Sequence, residues 1–163
     1  MNPLPPSPAD AAAFGSAPAS DTHRAMQALK AVVLAMPMAQ TLGLEFVRAE
    51  PGAVEISIPV KDAFCHRPGE LQATAVFAAA DFAAVAAAGS VLPPGWVNAT
   101  VDATLKLVAP ARGTSLRARG RVVHAARLLT VCAADVFAVD ASGTETLCAT
   151  LLATARNIDM SRG

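Results

Sequence analysis

Two periodicities organise the chain. Met26, Leu29, Val33 and Met36 recur at three- and four-residue spacing, which predicts an amphipathic helix. Ser20 or Asp21 caps its start, and Pro37 ends it, because the residue before a proline disfavours the helical region. A period of two then takes over. Leu42, Leu44 and Phe46 alternate with small or polar residues, and Val54, Ile56, Ile58 and Val60 alternate with Glu55 and Ser57. These predict two strands joined by a tight turn at Pro51-Gly52. A loop, KDAFCHRPGE, leads into LQATAVFAAADFAAVAAAGS at residues 71–90. That stretch has no polar face and predicts a buried helix. Pro93-Pro94-Gly95 breaks the chain after it. The C-terminal half alternates again and predicts strands near 97–108, 114–126, 128–140 and 144–157, with the last turn at Ser142-Gly143.

One long helix against a largely antiparallel sheet is an α+β layout. A helix that is apolar on every face needs a sheet that curls around it, or a second subunit over what the sheet leaves open. Residues 1–20 hold five prolines with Ala and Ser, a composition that buries little apolar surface. A disordered or loosely attached tail is expected there, with a single domain over residues 21–160.

The 163 residues suffice for one domain with a real core. With 13 basic and 13 acidic side chains, the formal net charge is zero, which argues against nucleic acid as a partner. Residues 71–90 have about the length of a membrane span, ~20 residues. Gln72, Thr74 and Asp81 interrupt them, and an Asp near the bilayer centre costs roughly 2.5–3.5 kcal/mol. A buried helix of a non-membrane protein is expected instead. No basic region followed by an apolar run opens the chain, so no signal peptide is expected. Cys65, Cys132 and Cys148 fit neither a metal motif nor a closed disulfide set, which suggests reduced thiols in the cytoplasm.

Asp81 is the only charged residue from Leu71 to Ser90. A desolvated carboxylate must be paired, hydrogen-bonded or protonated. Such groups cluster at active sites, so Asp81 is the candidate catalytic residue. The competing reading is a structural hydrogen-bond acceptor.

Two segments carry a resemblance. His66-Arg67-Pro68-Gly69-Glu70-Leu71-Gln72-Ala73-Thr74 is similar to the loop Asn-x-x-Gly-x-x-His-Gly-Gly that opens the central helix of hotdog-fold acyl-CoA thioesterases of the PaaI-like branch. Asp81 falls where that branch has its catalytic acid. Leu107-Val108-Ala109-Pro110-Ala111-Arg112-Gly113 resembles the turn of the same family. The resemblance covers about residues 38–158. Gly69 and the acid match, whereas His66, Gln72, Ala73 and Thr74 replace the usual Asn, His, Gly and Gly.

The resemblance implies a hotdog fold, an antiparallel sheet wrapped around one long helix, and hydrolysis of a CoA thioester to free acid and CoA. It implies the Ala73 N–H as oxyanion donor, His66 orienting the thioester carbonyl, and Asp81 as nucleophile or general base. Gly69, Gln72 and Thr74 become candidate substrate contacts. Ala73 and Asp81 are eight residues apart, about 12 Å along a helix, so both cannot reach one carbonyl carbon. A site shared between subunits follows, in a homodimer or homotetramer whose monomer is inactive. Five arginines lie at 112, 117, 119, 121 and 127, and guanidinium groups suit the phosphates of CoA. Arg112, Arg117 and Arg119 are candidates for that role, although the stripe also fits a solvated strand face. Phe77, Phe82, Val85 and Leu92 line either an acyl pocket or the core. Neither cofactor nor metal is implied. A catalytically silent acyl-CoA binder and an enoyl-thioester hydratase remain the alternatives.

Overall fold

The computed structural model describes residues 19–162, so the predicted tail lies outside the described residues as far as residue 18. The first helix is α1 (Ala19–Ala35). Pro37 ends it as expected, but also opens a second helix, α2 (Pro37–Leu42), where it sits in the first turn. Proline suits that position because its missing N–H would have no helical partner. Leu42 is therefore a helix residue, not the start of an alternating strand. Gly43 closes α2 at φ 71°, and β1 (Glu45–Glu50) begins only after Leu44. β2 (Ala53–Pro59) pairs antiparallel with β1 across the Pro51-Gly52 turn.

The expected loop holds a 3-10 turn at Asp62–Phe64 and a small hairpin, β3 (Cys65–Arg67) and β4 (Glu70–Leu71). Pro68-Gly69 makes its turn, with Gly69 at φ 71°, a conformation that strains any side chain. α3 (Ala73–Gly89) follows, then β5 (Trp96–Leu107), β6 (Ser115–Ala125), β7 (Leu129–Val139) and β8 (Glu145–Asp159). These strands lie within two residues of the predicted ones. They join β1 and β2 in a six-stranded antiparallel sheet of order β1-β2-β6-β7-β8-β5.

α3 lies across one face of this sheet. Val54, Ile56 and Ile58 of β2, Leu116 and Ala118 of β6, Val136 of β7 and Leu151 of β8 are all buried beneath it. So are Ala75, Ala79, Ala80, Ala83, Ala84 and Ala87 of the helix itself. Small side chains let helix and sheet approach closely, and one position allows the closest approach. A Cβ on Gly120 of β6 would run into the carbonyl oxygen of Ala83. Both colliding groups belong to packed backbone, so neither yields easily. Gly120→Ala is expected to destabilise the fold by about 3 kcal/mol, the upper end of typical overpacking costs. A lowered urea midpoint with an unchanged slope would register it.

The other side of α3 is open within one chain. Phe77 is 39% exposed there, and Asp81, Phe82 and Val85 are half-buried. The helix expected to be buried on every face is thus covered by its own chain on one side only. β5 is equally unfinished. It pairs only with β8, which leaves one edge open along 12 residues, with Val97, Val101 and Leu107 exposed. A long, partly apolar edge is a template for pairing with another chain. No helix among the described residues is long and apolar enough to cross a membrane.

Candidate active site

The hairpin β3–β4 sets the entrance to α3. Leu71 N donates to Ala111 O at 3.1 Å and Gln72 N to Phe64 O at 2.9 Å, which anchors the passage from β4 into α3. Gln72 is the N-cap residue, with ψ 150°, and its side chain makes no capping hydrogen bond. The first N–H groups of a helix have no partner within it and sit at the positive end of its dipole. Ala73 and Thr74 are exposed residues, and Ala73 lines a cavity of about 300 Å3. His66, Glu70, Gln72, Ala73, Val76, Leu107 and Pro110 line it, among others. Three residues picked from sequence, His66, Gln72 and Ala73, therefore meet at one cavity, with Thr74 beside them. Gly69 serves the hairpin turn.

Glu70, which carried no role in the sequence reading, organises this mouth. It is only 5% exposed, and Arg67, Arg112 and His66 all converge on it. Arg67 Nη2 lies 2.8 Å from Oε1, and His66 Nε2 lies 3.3 Å from the same oxygen. Arg112 Nε donates to Oε2. These guanidinium hydrogen bonds hold the Glu70 carboxyl at about 2, well below the usual range. Two guanidinium groups share one carboxylate, so the mouth keeps net positive charge.

Asp81 sits two turns further along α3, on the row Ala73–Phe77–Asp81. Thr100 Oγ1 of β5 donates to its Oδ1 at 2.9 Å. Burial pushes the Asp81 carboxyl up from its ordinary value, and the Thr100 hydrogen bond partly opposes this. Thr100 was not picked from sequence, yet a signal for it exists. Asn98 and Thr100 face α3, and so do Ala103 and Leu105, which requires a change of parity between them. The structure accommodates it with a bulge at Val101, where the β5–β8 register shifts. Bulges beside active sites commonly re-aim a side chain in this way.

Within one chain the two halves do not meet. β5 runs antiparallel to α3: Asn98 Nδ2 donates to Val85 O at 2.9 Å, Thr100 meets Asp81, and Leu107 reaches the cavity at Ala73 and Val76. Asp81 is absent from the cavity lining.

The arginines divide. Arg112 stands at the mouth, whereas Arg117 and Arg119 lie on the face of β6 turned away from α3, and neither lines the cavity. They share a strand face, as their alternation predicts. Arg117 Nε is 3.4 Å from Glu55 Oε1, and Arg119 Nη2 donates to Glu145 Oε1 at 2.7 Å while lying over the Phe137 ring. The cysteines stay outside the site chemistry. Cys65 Sγ donates to Lys61 O, and burial pushes the Cys132 thiol up to about 11. Among the described residues, no group of three or more His, Cys, Asp or Glu side chains is placed to hold a metal ion.

No family model and no curated protein sequence matches the chain. Solved structures do match it. A thioesterase family protein from Silicibacter pomeroyi is 30% identical, with a TM-score of 0.78 over 82% of this chain and 97% of that one. The PaaI protein from the phenylacetic acid degradation operon of E. coli is 19% identical, with a TM-score of 0.72 over 84% and 95%. A thioesterase from Haemophilus influenzae is also 19% identical, with a TM-score of 0.70 over 81% and 91%. The last two carry the fold; the first, at its identity and near-complete coverage, carries the family. A helix opening on a cavity, a carboxylate further along its open side, and this kinship lead to one conclusion: the chain belongs to the hotdog-fold thioesterase family.

Proposed function

We propose that the protein hydrolyses an acyl-CoA thioester to the free acid and CoA, in a site shared between two subunits. The observation that carries this reading is the separation of two complementary half-sites on the open side of α3. One half offers unpaired N–H groups at a helix start; the other offers a half-buried carboxylate. Pairing of two chains about a twofold axis through the open β5 edges covers the exposed side of α3 and brings the halves of opposite chains together.

The Ala73 N–H then holds the thioester carbonyl oxygen as it gains charge, and the helix dipole adds to the stabilisation. His66 supplies a second donor. Asp81 of the partner subunit takes a proton from water as the water attacks the carbonyl carbon, or attacks the carbon itself. Collapse of the tetrahedral intermediate expels CoA as thiolate, which is then protonated; on the nucleophilic route it leaves an acyl–Asp81 anhydride, which water hydrolyses to the free acid and the regenerated carboxylate. Phe77, Phe82 and Val85, on the open side of α3, face the acyl chain. Arg112 gives positive charge at the mouth. A cytoplasmic location fits the reading.

The test is free-thiol release from a panel of acyl-CoA thioesters, short-chain through aromatic. Turnover of one or more supports the proposal. Binding of CoA thioesters without turnover would replace it with a silent binder.

Thr100 gives a pH prediction. Asp81 must be ionised to act, so the acid limb of kcat/KM reports its pKa. Burial raises that pKa, and the Thr100 hydroxyl lowers it. Thr100→Val removes the lowering contribution. The acid limb is expected to move to higher pH, with the plateau rate less affected. An unmoved limb would mean that Thr100 does not tune the catalytic group.

A further inference from the structure

A second cavity, of about 270 Å3, lies at the far end of β5 from the first. Trp96, Arg127, Leu128, Asn157 and Asp159 line it, and none of them enters the chemistry above. Trp96 is half-buried and is the only tryptophan of the chain. Arg127 is exposed in the β6–β7 turn and makes no ion pair among the described residues.

The turn that carries Arg127 is firmly held. Asn157 is 4% exposed; its Nδ2 donates to Ala126 O at 2.8 Å, and Thr130 Oγ1 donates to its Oδ1 at 3.2 Å. Asn157 N also donates to Leu128 O at 2.8 Å, which ties the turn to β8. On the other wall, Met160 N donates to Gly95 O at 3.1 Å, next to Trp96. A flat indole, an uncommitted guanidinium and a carboxylate thus line one pre-formed hollow. Indole stacks on a purine and guanidinium binds phosphate; the Asp159 carboxylate is already engaged, its Oδ1 accepting from Ser161 N at 3.0 Å.

The position of the hollow matters as much as its composition. Trp96 and Leu107 lie on the same face of β5 because the bulge at Val101 restores parity. The shared site requires Thr100, beside Asp81, to come opposite the partner subunit's cavity, which lies beside Leu107. In an antiparallel pairing of β5 with its copy, moving four residues back from Thr100 to Trp96 moves about 13 Å outward. That places Trp96 and Arg127 near Arg112 at the partner's cavity mouth, a span that a pantetheine arm bridges.

We propose that this hollow takes the adenosine-phosphate end of the CoA thioester whose acyl group lies in the other subunit's cavity, with Trp96 stacking on the adenine and Arg127 binding phosphate. The choice of CoA as occupant rests on the thioesterase reading above; the hollow itself does not. It would make the protein selective for CoA over thioesters that lack the nucleotide.

The test has two arms. In the first, adenosine 3′,5′-bisphosphate is titrated against the intact protein, with Trp96 fluorescence and calorimetry as readouts. Wild type is expected to show quenching and saturable binding, and Arg127→Gln to bind roughly tenfold or more weakly. Trp96→Leu, read by calorimetry, is expected to lose about as much. In the second arm, Arg127→Gln is compared with wild type on acyl-CoA and on the same acyl group carried by pantetheine. The expected split is a KM raised about tenfold for the CoA ester alone, with kcat kept. No quenching in wild type, nucleotide affinity indifferent to Arg127, or equal effects on both esters would overturn the proposal. Arg127-dependent nucleotide binding by a protein that hydrolyses neither ester would uphold the hollow and sink the hydrolase reading.

Discussion

Asp81→Asn is expected to lower kcat on any CoA thioester the protein turns over by roughly 10²–10⁴-fold, the usual contribution of a positioned acid or base. The fold should survive, because Asn keeps the Oδ1 acceptor that Thr100 Oγ1 meets at 2.9 Å. Stability at neutral pH should not fall and is expected to rise. Burial pushes the Asp81 carboxyl above its unfolded value. A carboxyl whose folded pKa is raised binds its proton more tightly in the folded state, so ionising it at neutral pH costs stability. The neutral Asn escapes that cost. The advantage should shrink as pH falls and vanish below the unfolded pKa, where Asp81 is protonated in both states. A variant both inactive and more heat-stable is the signature of a group kept for function against the interest of the fold. Activity that survives the substitution would assign the chemistry elsewhere.

Ala73→Pro is expected to cost about 10²–10³-fold in kcat, the effect of losing one oxyanion donor. The substitution is informative because it removes an N–H while sparing the helix. Ala73 is the first residue of α3, where an N–H has no helical partner and proline is favoured. Gln72 before it is extended, at φ −68° and ψ 150°, which suits a residue preceding proline. Ala73→Gly is the control: it keeps the donor, opens the approach, and should retain activity. Circular dichroism and an unchanged thermal midpoint would establish that Ala73→Pro folds. Full activity in that folded variant would remove the helix N-terminus from the mechanism.

How far the sequence revealed this site depends on how local each signal is. The C-terminal strands were legible because alternation is local and the turns are marked by residues such as Gly143, at φ 83°. The long helix was legible from composition. The helix α2 was not, because three apolar residues at spacing two read as a strand, and a proline that ends one helix can also start another. Asp81 announced itself as a lone charge, yet a single chain leaves it half-buried, while the almost fully buried carboxylate is Glu70. Arg67 and His66 are its neighbours in sequence, but the third partner, Arg112, lies forty-two positions away, and burial of Glu70 depends on that long-range contact. The arginine stripe shows the same limit. Alternation says that Arg117 and Arg119 share a face; which face depends on strand register, which sets Arg119 opposite Glu55. Thr100 was visible only as a break in alternation, and a break gains meaning only once the helix beneath it is known.

The most direct test of the shared site mixes two dead proteins. Asp81→Asn and Ala73→Pro chains, each inactive alone, are co-refolded or co-expressed in equal amounts, and the mixed dimers are verified by mass. One site of each mixed dimer then combines an intact Ala73 N–H from one chain with an intact Asp81 from the other; the second site carries both defects. Half of the dimers are mixed and each has one sound site, so the account predicts recovery of about a quarter of wild-type turnover. Mixed dimers as inactive as their parents would contradict it, because they would mean that the carboxylate and the helix N-terminus do not work across the subunit interface.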